Sequence, residues 1–305
     1  MVVYLLMHNM LTITSNTLKI NLIIKFIKLI KFSIKLMPYN TIIKLLIFLN
    51  RVTHFIHYSS NINGRLGSNN TIYVNNQRIK LLIKMITPEK YKPELIRIGS
   101  KYDGGYALAK YNKNNILISG GISNNSDFES SICSRIFYGY LFDHTIKILN
   151  LSINNYAFYR KKIVVTKGDQ YGVNLNDFIS QIDSKSLILK LDIEGDEWNI
   201  LSQFSTNNLL KCEQIVVEFH NVLEIYNTKK FDLYIKVLTK IRKNHKVINV
   251  NVNNYGASSM LFGEKISDVY EISFLRNDLY AKMPKAKINM LTSKNNPTYP
   301  QVMFD

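Results

Sequence analysis

Four acids crowd the end of one apolar run. Ser186 to Leu201 reads SLILKLDIEGDEWNIL, placing Asp192, Glu194, Asp196 and Glu197 around Gly195, just before Trp198, the chain's single Trp. Carboxylates so placed can accept hydrogen bonds, take up a proton or hold a cation. Asp196 and Glu197 also have a plainer reading, because acids in a first turn stabilise a helix N-terminus. Three more apolar runs end in residues able to do chemistry: NILISG at Gly120-Gly121, YGYLFD at Asp143 and EQIVVEF at Glu218 and His220. His220 and His144 are the imidazoles that follow such runs, and imidazole changes charge near neutrality.

The segments that carry these residues alternate in type. Strands are expected at 115–120, 138–143, 162–166, 187–192 and 213–219. Helices are expected from Ser126 or Asp127 to about Arg135, over 174–182, from Glu197, and over 231–244. Before them, Leu95 to Gly99 and Asp103-Gly104-Gly105-Tyr106 suit a strand–turn–strand, with Gly104 and Gly105 suited to positive φ. After them, 246–252 and 269–275 are two strands with a polar loop and no helix between, which suggests an antiparallel hairpin at a sheet edge. Repeated strand–helix units predict an α/β fold with a mostly parallel sheet covered on both faces. Ligands of such sheets bind at the carboxyl ends of the strands, where all the residues named above fall.

The charge is uneven. The formal net charge is +17, yet no Asp or Glu precedes Glu89, and residues 1–88 carry 11 Lys or Arg. The basic character belongs mainly to an N-terminal appendage, so no nucleic-acid surface is expected of the whole protein. Residues 1–60 form a basic amphipathic segment. Within INLIIKFIKLIKFSIKL, lysines 25, 28, 31 and 35 share one helical face. Neither apolar run there reaches the roughly 18 residues of a spanning helix, so a membrane surface contacted through residues 19–50 is the expectation. Residues 61–90 are expected to be a linker and lead-in, 91–280 the main domain and 281–305 a surface tail. Cys133 and Cys212 lack metal-ligand spacing.

A glycine turn after one strand and an acid after the next select a nucleoside-containing cofactor, since the acid can accept from both ribose hydroxyls. The pyrophosphate-binding pattern G-x-G-x-x-G is absent, because the turn reads Gly120-Gly121-Ile122-Ser123-Asn124-Asn125. That points to S-adenosylmethionine rather than to a dinucleotide.

Several segments together resemble the FkbM-type class I methyltransferases, in the branch that includes the eukaryotic methyltransferase-like proteins. Arg97-Ile98-Gly99 with Asp103-Gly104-Gly105-Tyr106 is similar to that branch's R-x-G…D-G-G-Y. Gly120-Gly121-Ile122-Ser123 with Asp127-Phe128-Glu129 is similar to its glycine turn, and Phe142-Asp143-His144-Thr145 to its F-D-x-T. Leu189 to Trp198 is close to its K-I-D-[IV]-E-G-x-E-W. The likeness spans about Glu94 to Arg276. Asn251 departs from it, standing where the late H-x-N-N motif has its His.

The resemblance implies a Rossmann-like seven-stranded sheet and S-adenosylmethionine-dependent methylation of an oxygen, on a sugar or other small or glycan acceptor. It implies that Gly120 and Gly121 approach the cofactor, Asp143 holds the ribose, Asp169 lies near the adenine and Asp192 near the reacting centre. His144, Asp103 and Gly104 would border the cofactor. His220, Asp192 and Glu218 would form the catalytic group, with His220 the leading general base. Asp192, Glu194 and Glu218 could also hold Mg²⁺. The alternative, raised by Asn251, is a methyltransferase-like binding or scaffold module with impaired catalysis at a membrane surface.

Overall fold

The computed structural model describes residues 69–166, 172–261, 264–287 and 289–304. The basic amphipathic segment 1–60 and Asp169 lie outside them. The chain divides at Gly67/Ser68, and every described element belongs to the unit Ser68–Asp305.

In chain order the elements are α1 (Asn69–Ile86), β1 (Leu95–Gly99), β2 (Gly105–Ala109), β3 (Ile116–Gly120), α2 (Asp127–Cys133), β4 (Tyr138–Phe142), β5 (Tyr156–Tyr159), β6 (Lys162–Ile163), β7 (Gly172–Val173), α3 (Leu175–Ser180) and β8 (Leu187–Leu191). They continue with α4 (Glu197–Gln203), α5 (Thr206–Lys211), β9 (Cys212–Phe219), a 3-10 turn (Val222–Tyr226), α6 (Thr228–Arg242), β10 (His245–Val252), β11 (Ser258–Leu261), β12 (Glu264–Ser267), β13 (Tyr270–Arg276) and α7 (Asn277–Lys282). Seven strands form the central sheet in the order β10-β13-β9-β8-β3-β4-β5. β5, β4, β3, β8 and β9 pair in parallel, and β13 runs antiparallel to both β9 and β10. This is the expected Rossmann-like, mostly parallel sheet. The closing pair is more than an edge hairpin, because β13 is inserted between β9 and β10.

Alternation within the strands builds a core on each face. Leu187, Leu189 and Leu191 of β8 join Ile118, Phe142, Ile215 and Val217 on the face covered by α1, α4 and α6. Ile188 joins Leu117, Leu141 and Val216 on the other, covered by α2 and the β1–β2 ribbon. Lys190 is on that second face, although it is a lysine in a fully buried strand.

Three expectations change. The third strand of the sheet is Tyr156–Tyr159, not 162–166. The β-branched run KKIVV has the higher strand propensity, but β4 hydrogen-bonds to YAFY, and Lys162–Ile163 pairs instead with Gly172–Val173. Residues 61–90 are expected to be a linker and lead-in, yet α1 begins at Asn69 and buries Ile79, Leu82 and Ile86. The polar loop before β13 contains its own hairpin, β11–β12.

Candidate active site

β3 leads to β4 and β5 on one side, and the chain then crosses back to β8 and β9 on the other. The crevice between β3 and β8 is therefore the topological switch point, where open α/β sheets bind ligands. A cavity of about 460 Å³ opens there. Gly121, Asp143, His144, Asp192 and Glu194 all line it, together with Lys162 and Ile163.

The turn after β3 is built to be narrow. Gly121 has φ +78°, and a Cβ on it would sit 1.6 Å from the Asp192 carbonyl oxygen. Gly120 lies one step behind the cavity wall, where a Cβ would meet Ile163 Cδ1 at 2.2 Å. Asp143 holds the turn. One of its carboxylate oxygens accepts from the Ile122 and Ser123 N–H groups at 2.7 and 2.8 Å, and the other from the Thr145 N–H and Oγ1 at 2.7 and 2.6 Å. Burial pushes its pKa up, but these hydrogen bonds outweigh it and hold the carboxyl at about 2. A carboxylate offers about four acceptor sites, so the chain itself occupies those of Asp143. A ribose hydroxyl would have to share them.

Asp192, just past the end of β8, is the pivot of the site. Its Oδ2 accepts from the buried Tyr106 hydroxyl at 2.7 Å and lies 3.6 Å from Lys190 Nζ. Lys190 also donates to the Gly121 carbonyl and lies 3.8 Å from Glu129, which accepts from Ser119 Oγ at 2.6 Å. Burial pulls the Lys190 pKa down, but Asp192, Glu129, Glu218 and Asp143 more than offset it and leave it raised. Lys190 is thus a fixed buried cation that ties β8, the glycine turn and α2 together.

Beyond Asp192 lies a second group of acids. One donor atom each from Asp192, Glu218 and His220 lie within 4.8 Å of one another, and so do donors from Asp103, Glu218 and Glu271. Glu218 is 4% exposed; one oxygen accepts from Asn253 Nδ2 at 2.6 Å, and its Oε2 has no hydrogen-bond partner among the described residues. Burial, with Asp192, Glu271 and Asp103 nearby, raises its pKa well above the carboxylate range. Burial likewise lifts Glu271 to about 7, although Asn295 and Asn251 donate to it.

His220 stands at the rim of this group. Its Nδ1 is 3.1 Å from Oε1 of Glu197, and its Nε2 faces Glu194 at 3.6 Å and Glu218 at 3.7 Å. Burial lowers its pKa, but Glu197, Asp192 and Glu194 outweigh that and hold it at about 9. Glu197 is fully buried, and the same Oε1 accepts from the Ile193 and Gly195 N–H groups. It therefore fixes both the imidazole and the loop in which Glu194 and Gly195 have positive φ.

Asp103 and Gly104 do not line the cavity. They join the glycine-turn region through Asn125, which donates to the Asp103 carbonyl at 2.8 Å, and the acid group through Asn295, which donates to Asp103 Oδ1 at 3.1 Å. His144 is exposed at the cavity rim. Asn251 is a structural residue. Its amide nitrogen donates to Glu271 and Asn295, and its side-chain oxygen accepts from the Ser293 N–H at 3.0 Å. Asn249 clasps Leu291 and Asn254 clasps Asn296 in the same manner, each through both ends of its amide. The tail beyond α7 is thereby strapped across the sheet and delivers Asn295 to the acids.

Sequence reasoning passes over Lys190, Glu129 and Asn295 and sets Glu197 aside as a helix-start residue. A lysine inside a buried run is the available signal, because such a charge must be paired.

No protein-family model matches the chain, and no curated protein sequence matches it. Among solved structures, the chain is similar to the fibrillarin pre-rRNA processing protein of Methanococcus jannaschii, at 10% identity and TM-score 0.36, over 62% of this chain and 84% of that one. It is similar to an rRNA methylase of Streptococcus thermophilus, at 7% identity and TM-score 0.33, over 54% and 89%. It is also similar to a Streptococcus mutans protein solved in complex with SAH, at 11% identity and TM-score 0.31, over 54% and 88%.

Proposed function

We propose that the protein is an S-adenosylmethionine-dependent methyltransferase that methylates a hydroxyl of a sugar or other small or glycan acceptor. One observation carries this reading. The cavity at the β3/β8 switch point and the Glu218–His220 group share a single side chain, Asp192, so a cofactor in the first and an acceptor at the second would meet there. The motif segments that resemble the FkbM-type family also converge on this place: the Asp103–Tyr106 turn, Gly120-Gly121, Asp143 and Asp192 to Trp198.

The chemistry asks little more of the chain. The acceptor oxygen attacks the methyl carbon, the carbon–sulfur bond breaks, and S-adenosylhomocysteine leaves. The sulfonium is already activated, so the main demand is in-line positioning. A hydroxyl must also lose its proton. The pKa of His220, expected as the leading general base, is held at about 9 and that of Glu218 is raised well above the carboxylate range, so the Asp192 carboxylate is the member of the group placed to draw the proton off. His220 supplies that group's imidazole, so the Asn at position 251 does not deprive the site of one. The Mg²⁺ expected at Asp192, Glu194 and Glu218 is a second way to acidify the hydroxyl. Against that ligand set, the Glu194 side chain is 87% exposed, and the donors that cluster with Asp192 and Glu218 are those of His220.

Calorimetry with S-adenosylhomocysteine and with NAD tests the cofactor. Binding of the first and not the second is expected, with Asp192→Asn weakening it. Failure of S-adenosylhomocysteine to bind would sink the reading.

A further inference from the structure

We propose that Asp192, Glu218 and His220 form a binding site for a borderline divalent cation of the Mn²⁺ type, with Glu197 as the partner that orients the imidazole. The three donor atoms lie within 4.8 Å of one another. Ligands at about 2.0–2.4 Å from a shared ion are separated by no more than about twice that distance, so one ion reaches all three with small adjustments.

Two further observations point to a ligand. Glu218 is 4% exposed; its Oε1 faces His220 Nε2 at 3.7 Å and accepts from Asn253, and its Oε2 has no hydrogen-bond partner among the described residues. An unpaired carboxylate oxygen in a buried position is costly, and a metal ion relieves that cost. The second is His220, whose Nδ1 faces Glu197 at 3.1 Å while Nε2 faces Glu218. A carboxylate behind the imidazole, with the far nitrogen presented to other ligands, is the arrangement that orients metal-binding histidines. The three backbone and side-chain partners of Glu197 Oε1 make that orientation rigid.

The neighbouring trio of Asp103, Glu218 and Glu271 is the competitor. Both Glu271 oxygens already accept amide hydrogens from Asn251 and Asn295, and Asp103 Oδ1 accepts one from Asn295. The His220 trio has fewer bonds to give up. The nearest fixed cation, Lys190, is 3.6 Å from Asp192 but is also held by the Gly121 carbonyl and Glu129. One imidazole with two carboxylates suits Mn²⁺ or a similar first-row ion better than Mg²⁺ or Ca²⁺, which favour oxygen alone. An open coordination position would take the acceptor hydroxyl and lower its pKa. That role rests on the methyl-transfer reading; the binding site itself does not.

The test is titration of the full chain with Mn²⁺, followed by loss of the free-ion paramagnetic resonance signal. One ion per chain is expected. Glu218→Gln and His220→Gln should each weaken binding at least about tenfold, and Glu197→Gln by about tenfold as an outer partner. Nitrogen modulation of the bound-ion signal should be present in wild type and absent in His220→Gln. Glu271→Gln should leave affinity within about twofold of wild type, as expected of a residue outside the coordination shell. Thermal melts and S-adenosylhomocysteine binding on each variant separate loss of the site from loss of the fold. No saturable site, binding indifferent to Glu218→Gln and His220→Gln, or binding lost only with Glu271→Gln would each overturn the proposal. Loss of S-adenosylhomocysteine binding with Mn²⁺ binding intact would overturn the cofactor reading instead.

Discussion

In ion-free protein burial pulls the His220 pKa down, but Glu197, Asp192 and Glu194 outweigh it and hold it at about 9. In ion-free protein its ring protons should titrate near pH 9 by NMR, and Glu197→Gln should move the midpoint down towards the ordinary 6.5. The raised value also fixes a sign. Its contribution to stability is complete below about pH 6.5 and is lost as pH rises through about 9. Asp143 has the opposite sign. Its carboxyl is held at about 2 against an ordinary 3.8, so its contribution is complete above about pH 4 and is lost as pH falls towards 2. Denaturant melts across pH should show Asp143→Asn destabilised at neutral pH, with a shallower acid limb than wild type. The identity of these residues was legible in the sequence, but their duties were not. Asp143 is expected to face a ribose because it ends a strand; the four donors that also hold it come from the glycine turn and Thr145, whose path only the fold reveals. Glu197 looked like a helix-start acid because nothing local announces that His220 lies beside it.

Helix α4 is held to the sheet through Trp198. Its ring stacks on Phe219 and on Tyr234, with centroids 4.0 and 4.2 Å away, and its Nε1 donates to the His220 carbonyl at 2.9 Å. Trp198→Ala should cost about 3–5 kcal/mol in urea unfolding. Because its indole holds the His220 backbone, the milder Trp198→Phe should weaken Mn²⁺ binding more than it lowers the melting temperature. β3, β4, β8, β9 and β13 were readable because buried strands appear as short apolar runs bounded by turn residues. β5 was not, since YAFY on a half-buried edge carries weaker alternation than the nearby KKIVV. The strap was not readable either. Its contacts come from asparagine amides, whose pairing depends on strand register rather than on hydrophobic pattern. Asn251→Ala removes bonds to Glu271, Asn295 and the Ser293 N–H at once. A loss of about 2–4 kcal/mol is expected, with faster amide exchange at Ser293.

Charge is segregated along the chain as a whole. The acid-free stretch ends at Pro88 and the acids begin at Glu89, while the unit that carries the candidate site begins at Ser68. Among the described residues no helix is long and apolar enough to cross a membrane. We expect the full chain to co-sediment with anionic vesicles, and removal of residues 1–60 to abolish this without affecting S-adenosylhomocysteine affinity. Sedimentation that survives the truncation would overturn the reading of residues 1–60 as a membrane-surface segment.

The strap bears on how the protein comes into being. Asn295 bonds to Asp103 across 192 residues of sequence, and it also caps Glu271. A chain emerging from the ribosome can assemble β3, β4 and β8 around the switch-point cavity well before Asn295 exists. The acid group must wait until Asn295 is made. Birth order would therefore give a nascent protein whose switch-point cavity forms before its acid group is closed, and truncation ahead of Asn295 would leave it in that half-built state.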